Sequence, residues 1–353
     1  MPSLANRTAW VESLSPWPEE FGLDRMQALL ADLGDPQRAF PAIHVVGTTG
    51  KGTAVRTIEE LLAGEELCVG AYLSPHVSGW SERIRVGGRE ADFESALDRV
   101  YPHAGGATQF EVLTAAALAE FAEEGVDVAV VEAGLGGRLD ATNVLDAPVV
   151  LLTNVALEHT EVLGDTREAI AREKLAVVVP GATAVLPDHE FAHLVAHAQV
   201  VVGGAQEAAE TFLGRAIDRQ VQVSLPGRFE QRPGGEIWDG AHTPEAADWL
   251  LQRLPGREYV LCVSILRDKD VDAILERFAR AGDKLIATQS PNPRSLGAEE
   301  LAIHARRWFS EVHVVEDPLS ALAQAREAGN PVLVTGSLYL LADLYRAKEH
   351  ESR

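Results

Sequence analysis

Only two cysteines occur in 353 residues, Cys68 and Cys262. Each sits in an apolar, strand-like run, so they read as buried thiols of a reducing cytoplasm and not as a disulfide. Positive charge is scarce as well: 31 Lys and Arg stand against 53 Asp and Glu, a formal net charge of −22. Nucleic acid and anionic membranes both reward basic surface, so neither is an expected partner. An anionic small molecule is still compatible, because a local cluster of Arg, Lys and Mg²⁺ overrides a distant field. No apolar run is long enough to span a bilayer, and Met1–Arg7 lacks the apolar core of a secretory signal. None of the five asparagines is followed by lysine, so the Asn-Lys-x-Asp base reader of a GTPase switch is missing. Internal repeats and low-complexity segments are missing too. The chain reads as a cytoplasmic, soluble monomer.

Its length and its 46% hydrophobic content allow a large core and two domains. Apolar runs at Val126–Val131, Val149–Leu152, Tyr259–Val263, Leu285–Thr288 and Val332–Thr335 have the continuous character of strands buried on both faces. Helical patterns at Phe110–Glu124, Arg167–Val177, Pro244–Leu254, Val271–Ala281 and Ser320–Glu327 alternate with them. Such alternation predicts an α/β protein with parallel sheets. Leu225-Pro226-Gly227-Arg228 interrupts the pattern, which places a boundary near residue 225 and predicts domains 1–224 and 225–353.

Chemistry concentrates at Ile43-His44-Val45-Val46-Gly47-Thr48-Thr49-Gly50-Lys51-Gly52-Thr53. An apolar strand runs into a glycine loop with a lysine and a hydroxyl, and Ala54–Leu62 reads as the following helix. Glycines let backbone N–H groups curl round a phosphate, the lysine neutralises it, and the hydroxyl can hold Mg²⁺. Val45 occupies the first glycine position of the longer G-x-x-x-x-G-K-[ST] loop, so this is a shorter G-T-x-G-K-G-T form. The plainer alternative is a strand-to-helix turn that needs glycine for geometry alone.

Glu132 closes Val126–Val131 and opens Ala133-Gly134-Leu135-Gly136-Gly137-Arg138-Leu139-Asp140-Ala141-Thr142-Asn143. A carboxylate at the carboxyl end of a parallel strand stands where α/β folds bind ligands, and it can hold Mg²⁺ beside a phosphate loop. Ser74-Pro75-His76 follows the strand Cys68–Leu73 in the same way, although a plain turn explains it equally well. Glu82-Arg83-Ile84-Arg85 offers cations, but charge runs ordinarily mark a solvated face. His189-Glu190-Phe191-Ala192-His193 matches H-E-x-x-H, with His197 continuing the face. On a helix this spacing binds Zn²⁺ for a metalloprotease; the competing reading, which we favour, is an amphipathic surface helix capped by Asp188.

Taken together, Gly47–Thr53, Ser74-Pro75-His76, Glu82–Arg85, Phe110–Thr114, Glu132–Asn143, Leu157–Gly164, Glu173-Lys174, Pro226–Phe229, Asp239-Gly240-Ala241-His242 and Thr335–Tyr339 follow one order. That order resembles the folylpolyglutamate synthase / dihydrofolate synthase family of the Mur-ligase superfamily, from about residue 20 to about 346. The resemblance implies a P-loop ATPase-type domain followed by a smaller Rossmann-like glutamate-ligase domain. It also implies ATP-dependent joining of L-glutamate to a folate or pteroate carboxylate through an acyl phosphate.

By motif position, Gly47, Thr48, Gly50, Lys51, Gly52 and Thr53 would hold ATP phosphates, with Thr53 and Glu132 on one Mg²⁺. Ser74, His159 and Lys174 would hold a second, Lys174 matching a lysine carbamylated in the family. Arg228 and Asp239 would contact ATP, and His242, with Lys51 and Lys174, would serve catalysis. Phe110, Arg138, Leu139 and Asp140 would contact the pterin-bearing substrate. Departures are Thr49 and Thr243, each where the family has Asn, and Glu158 for the Asp of Leu-Asp-His. The His-Gln-x-x-Asn-Ala stretch, whose Asn contacts ATP, is reduced to Ala205-Gln206-Glu207-Ala208-Ala209. A peptidoglycan-precursor ligase of the same superfamily would place a nucleotide-sugar domain ahead of the loop, and forty-six residues leave no room for one.

Overall fold

The apolar runs form two separate, mainly parallel sheets in a computed structural model that describes residues 6–351 apart from Arg257 and Asn330. The first residues, on which the reading of the N-terminus partly rested, lie outside the described ones. The chain divides into two compact units, one of residues up to 76 and 80–223, the other of residues 77–79 and from 224 onward.

In the first unit, β1 (Ala42–Val46), β2 (Val69–Tyr72), β3 (Ile84–Val86), β4 (Arg89–Glu90), β5 (Val128–Glu132), β6 (Val149–Leu152), β7 (Thr183–Leu186) and β8 (Gln199–Val202) form one sheet in the order 4-3-2-5-1-6-7-8. Strands β2, β5, β1, β6, β7 and β8 run parallel, while β3 and β4 turn back antiparallel at one edge. β1, β2, β5 and β6 are buried along their whole length, as expected of strands covered on both faces. The helix Gln109–Glu123 is fixed at its start by a capping box, in which Thr108 and Glu111 satisfy each other's backbone N–H groups.

The second unit holds β9 (Glu230–Gln231), β10 (Ile237–Trp238), β11 (Val260–Val263), β12 (Lys284–Ala287), β13 (Glu311–Val314) and β14 (Val332–Thr335), in the order 13-12-11-14-10-9. Alternate residues face opposite sides. Leu261, Val263, Leu285 and Leu333 enter one core, while Val260, Cys262, Ile286 and Val334 enter the other with Trp238. The last of the expected helices begins early, at Pro318, because Asp317 accepts the N–H of Ser320 and proline suits the first helical position.

Three expectations are corrected. His189–Phe191 form a turn followed by the short 3-10 helix Ala192–Val195, where residues four apart do not share a face. Asp188 accepts the N–H of Glu190, Glu190 pairs with Arg167, and His193 pairs with Glu168, so neither a zinc helix nor an amphipathic α-helix forms. Glu82 and Arg83 are buried instead of solvated, with the Arg83 guanidinium donating to His76 Nδ1 at 2.9 Å. Both cysteines are free thiols, but only Cys262 is fully buried; Cys68, just before β2, is half-buried.

The acidic surplus sets a solution property. Self-repulsion at a net charge of −22 opposes the compact state, and salt screens it. The melting temperature should therefore rise between low and molar KCl, by about 2–4 °C for each kcal/mol gained. Calorimetry that finds it flat or falling would contradict this.

Candidate active site

Parallel pairing brings the chemistry-bearing loops to one edge. Val45 pairs with Glu132, Val46 with Leu152, and Tyr72 with Val131. The segments that leave the carboxyl ends of β1, β2, β5 and β6 therefore emerge side by side. This is where open α/β sheets bind ligands.

Gly47 and Gly50 have φ values of 148° and 80°. A Cβ on Gly47 would sit 1.9 Å from Thr153 Oγ1, so no other residue fits there. Thr153 Oγ1 donates to Thr49 O at 2.7 Å, and Asn154 accepts from Thr49 N at 2.9 Å while donating to its hydroxyl at 2.6 Å. The end of β6 thus braces the loop, and Thr49 fills its position by hydrogen bonding. The helix Lys51–Ala63 starts at Gly50 with no side-chain cap, which leaves its first-turn amides without a side-chain acceptor, an arrangement that suits an anion. Lys51 Nζ lies 3.0 Å from Gly47 O and 3.3 Å from Thr48 O, within the curl of the loop.

Glu132 is buried at the end of β5, and its Oε2 accepts from Ser74 N at 3.0 Å. Thr53 is exposed in the first helical turn. A carboxylate and hydroxyls are the oxygen donors a hard cation such as Mg²⁺ takes, so this donor set fits the ion.

Lys174, on the helix Arg167–Leu175, is only 2% exposed. Its ammonium contacts Glu158 Oε1 at 2.7 Å and Gly47 O at 3.0 Å. Burial lowers its pKa, and Glu158 opposes that shift. The contact with Gly47 places Lys174 at the phosphate loop, more than a hundred residues away in sequence. His159 has a left-handed backbone, and its Nδ1 stands 3.9 Å from Glu161. Lys174 is thus paired with Glu158, while the carboxylate near His159 is a different one, Glu161. Among the described residues no group of three or more His, Cys, Asp or Glu side chains gathers as a metal cage. The expected sets are of another kind, built partly on hydroxyls and a lysine.

The four residues expected at the pterin-bearing substrate separate by role. Phe110 packs on Tyr72, ring centroids 6.1 Å apart, and closes on Gly134, where a Cβ would come within 2.5 Å of its ring. Arg138 is exposed and pairs with Glu173 at 2.9 Å, and Leu139 is half-buried. Asp140 differs. Its carboxylate is turned inward and accepts from Leu135 N, Thr142 N and Thr142 Oγ1, with burial pushing its pKa up. It holds the loop instead of presenting a charge.

In the second unit, Asp239 follows β10 and is buried, accepting from Phe229 N at 2.7 Å and Ala241 N at 2.8 Å. Burial raises its pKa, while Phe229 N and Arg228 oppose the rise. His242 Nδ1–H donates to Gly240 O at 2.7 Å, which fixes the tautomer. Thr243 caps the helix Pro244–Arg253 by accepting from Ala246 N, a role Asn also fills. Ala205–Ala209 lie in the ordinary helix Ala205–Leu213.

A group of hydroxyls here was passed over in the sequence. Ser264, Thr288 and Thr335 end or follow β11, β12 and β14, and with Ser290 and Ser295 they are buried. Ser290 Oγ and Thr335 Oγ1 have no hydrogen-bond partner. A hydroxyl directly after an apolar strand was the available signal.

A Mur ligase middle domain model matches residues 45–225, and a Mur ligase glutamate ligase domain model matches residues 227–338. The class is therefore the Mur-type ligases. A relative in Escherichia coli (strain K12), dihydrofolate synthase/folylpolyglutamate synthase, is 32% identical over 96% of this chain and 94% of its own. A solved structure of E. coli FolC in complex with DHPP and ADP superposes with a TM-score of 0.86 at 29% identity, covering 100% of both chains. Another, a bifunctional folylpolyglutamate synthase/dihydrofolate synthase from Yersinia pestis complexed with AMPPNP and Mn ion, gives 0.84 at 30% identity over 99% of this chain and 100% of that one. The chain belongs to the dihydrofolate synthase/folylpolyglutamate synthase family.

Glu132→Gln keeps the shape but removes the charge, so the Mg²⁺ needed for half-maximal ADP formation should rise by at least about tenfold. Mg²⁺ titration of the rate checks this, and an unchanged midpoint would remove Glu132 from the metal site.

Proposed function

We propose that this protein is an ATP-dependent ligase that joins L-glutamate to the carboxylate of a folate-type acid, dihydropteroate or tetrahydrofolate. The observation that carries this reading is the common sheet edge where Gly47–Thr53 and Glu132 leave β1 and β5 side by side, with Phe110 closing on Gly134 at the start of the loop that follows Glu132. The carboxylate oxygen attacks the γ-phosphorus, ADP leaves, and an acyl phosphate forms. The glutamate amine then attacks the acyl carbon, loses a proton and expels inorganic phosphate.

Lys51 and the amides opening its helix bear the phosphate charge, which is the main demand of phosphoryl transfer. Mg²⁺, held at one site by Thr53 and Glu132 and at a second by Ser74, His159 and Lys174, supplies further neutralisation when bound. Gly47, Thr48, Gly50 and Gly52 shape the cradle. Phe110, Arg138 and Leu139 hold the acid so that the reacting oxygen is oriented before transfer, and Asp140 keeps their loop in place.

We assign residues 1–224 to ATP binding and 225–353 to the glutamate-ligase domain. Arg228 and Asp239 contact ATP, and His242 serves the transferred phosphate. The buried hydroxyls Ser290 and Thr335 suit the carboxylates of the incoming amino acid. The protein acts as a cytoplasmic monomer without nucleic acid or membrane; no helix among the described residues is long and apolar enough to cross a bilayer.

The test is ADP formation and product mass with ATP, glutamate and each acid. Sustained ADP formation should require all three, with at most one equivalent per enzyme formed from ATP and the acid alone, and Lys51→Ala should lower the rate by about 10²–10³. ADP formation indifferent to the acid would overturn the reading. Lys174 carries a second expectation. Burial favours its neutral amine, the form that reacts with CO₂, and a carbamate would replace a cation beside Mg²⁺ with an anion. Activity should fall when bicarbonate is stripped and return when it is restored; indifference would refute the carbamate.

A further inference from the structure

His44 is an outlier in its own strand. It lies fully buried in β1, at the centre of the eight-stranded sheet, between Ile43 and Val45. Burial holds the ring neutral, with its pKa pulled down to about 4. Its Nε2 is 2.8 Å from Thr142 Oγ1. That hydroxyl donates to Asp140 Oδ1, so it accepts from the ring, and Nε2 carries the hydrogen. Nδ1 is then a buried acceptor with no partner. An unpartnered buried acceptor is destabilising, a penalty an apolar residue of similar size would avoid. A polar ring at this position calls for a reason beyond packing.

The hydrogen bonds give one. They run in a single direction, from His44 to Thr142 to Asp140. Asp140 accepts Thr142 N at 3.0 Å on one oxygen and Leu135 N at 2.8 Å on the other. One carboxylate therefore ties the first part of the 133–143 loop to its last part. Glu132 precedes that loop, and Arg138 and Leu139 form its middle. The loop has little tolerance for displacement. A Cβ on Gly134 would meet Phe110 at 2.5 Å, and one on Gly137 would meet Lys174 O at 2.6 Å.

We infer that His44 is a positioning residue for the folate-type acid, acting through Thr142 and Asp140 to fix the 133–143 loop between Phe110 and the Lys174 helix from the rigid centre of the sheet. This rests on the functional reading above. It separates the acid from ATP: the loop that holds the acid depends on His44, whereas the phosphate loop is braced by Thr153 and Asn154.

The test compares His44→Phe, Thr142→Val, Thr142→Ser and the double variant His44→Phe/Thr142→Val with wild type. His44→Phe and Thr142→Val should raise KM for the folate-type acid about ten- to a hundredfold, leaving KM for ATP within about twofold. Thr142→Ser, which keeps the hydroxyl, should restore the wild-type value. The double variant should be no worse than the worse single one, because both break the same chain. Amide hydrogen exchange at Leu135 and Thr142 should accelerate in both single variants. If His44→Phe does not fold, the Thr142→Val and Thr142→Ser pair decides the matter alone. Equal rises in both KM values with a lowered melting temperature would show a merely structural role and overturn the inference, as would unchanged KM values. Wild-type protein that makes no ADP in response to any folate-type acid overturns the functional reading, and this inference with it.

Discussion

The parallel pairing of β1 between β5 and β6 is the constraint on which the rest depends. It fixes which residues leave the sheet at the same level: Gly47 after β1, Glu132 at the end of β5, and Thr153 after β6. A shift of one residue in the β1–β5 register would turn Glu132 to the other face of the sheet, and one in the β1–β6 register would take Thr153 away from the loop. Long-range contacts then secure the result. Lys174 reaches Gly47 O and Glu158, and Asn154 holds Thr49.

Cations are few in this chain, and the site uses them in specific places. Lys51 lies within the glycine loop and Lys174 is buried against it, while the acidic surplus is spread over the molecule. Buried charge acts through a lower effective dielectric than surface charge, so two well-placed lysines outweigh a distant net charge of the opposite sign. An acidic protein can bind polyphosphate for this reason.

The central strands of both sheets were legible because strands buried on both faces leave continuous apolar runs; Val149–Leu152 and Val332–Thr335 appear with the bounds expected, while strands at or next to the edges, such as β3, β8 and β13, were not read. The strand-to-helix loop at Gly47–Gly50 was legible because positions that need positive φ call for glycine. Side-chain direction was not. Asp140 reads as a ligand contact, yet it faces inward, because its partners Leu135 N and Thr142 lie within its own loop. Glu158 reads as a minor replacement, but it is the ion partner of Lys174. The H-E-x-x-H spacing assumes an α-helix that the turn at Asp188–Phe191 does not supply. Spacing records which residues are near in sequence, but not which way their side chains turn or which backbone they turn from.

The central claim is transfer of the γ-phosphoryl group to a folate-type carboxylate before the amide forms. Heavy-oxygen label in that carboxylate tests it most directly. Attack by a carboxylate oxygen and later expulsion of phosphate must carry a labelled oxygen into the inorganic phosphate released with each product. Mass spectrometry of that phosphate should find the label in step with amide formation. Product formed with unlabelled phosphate would contradict the account.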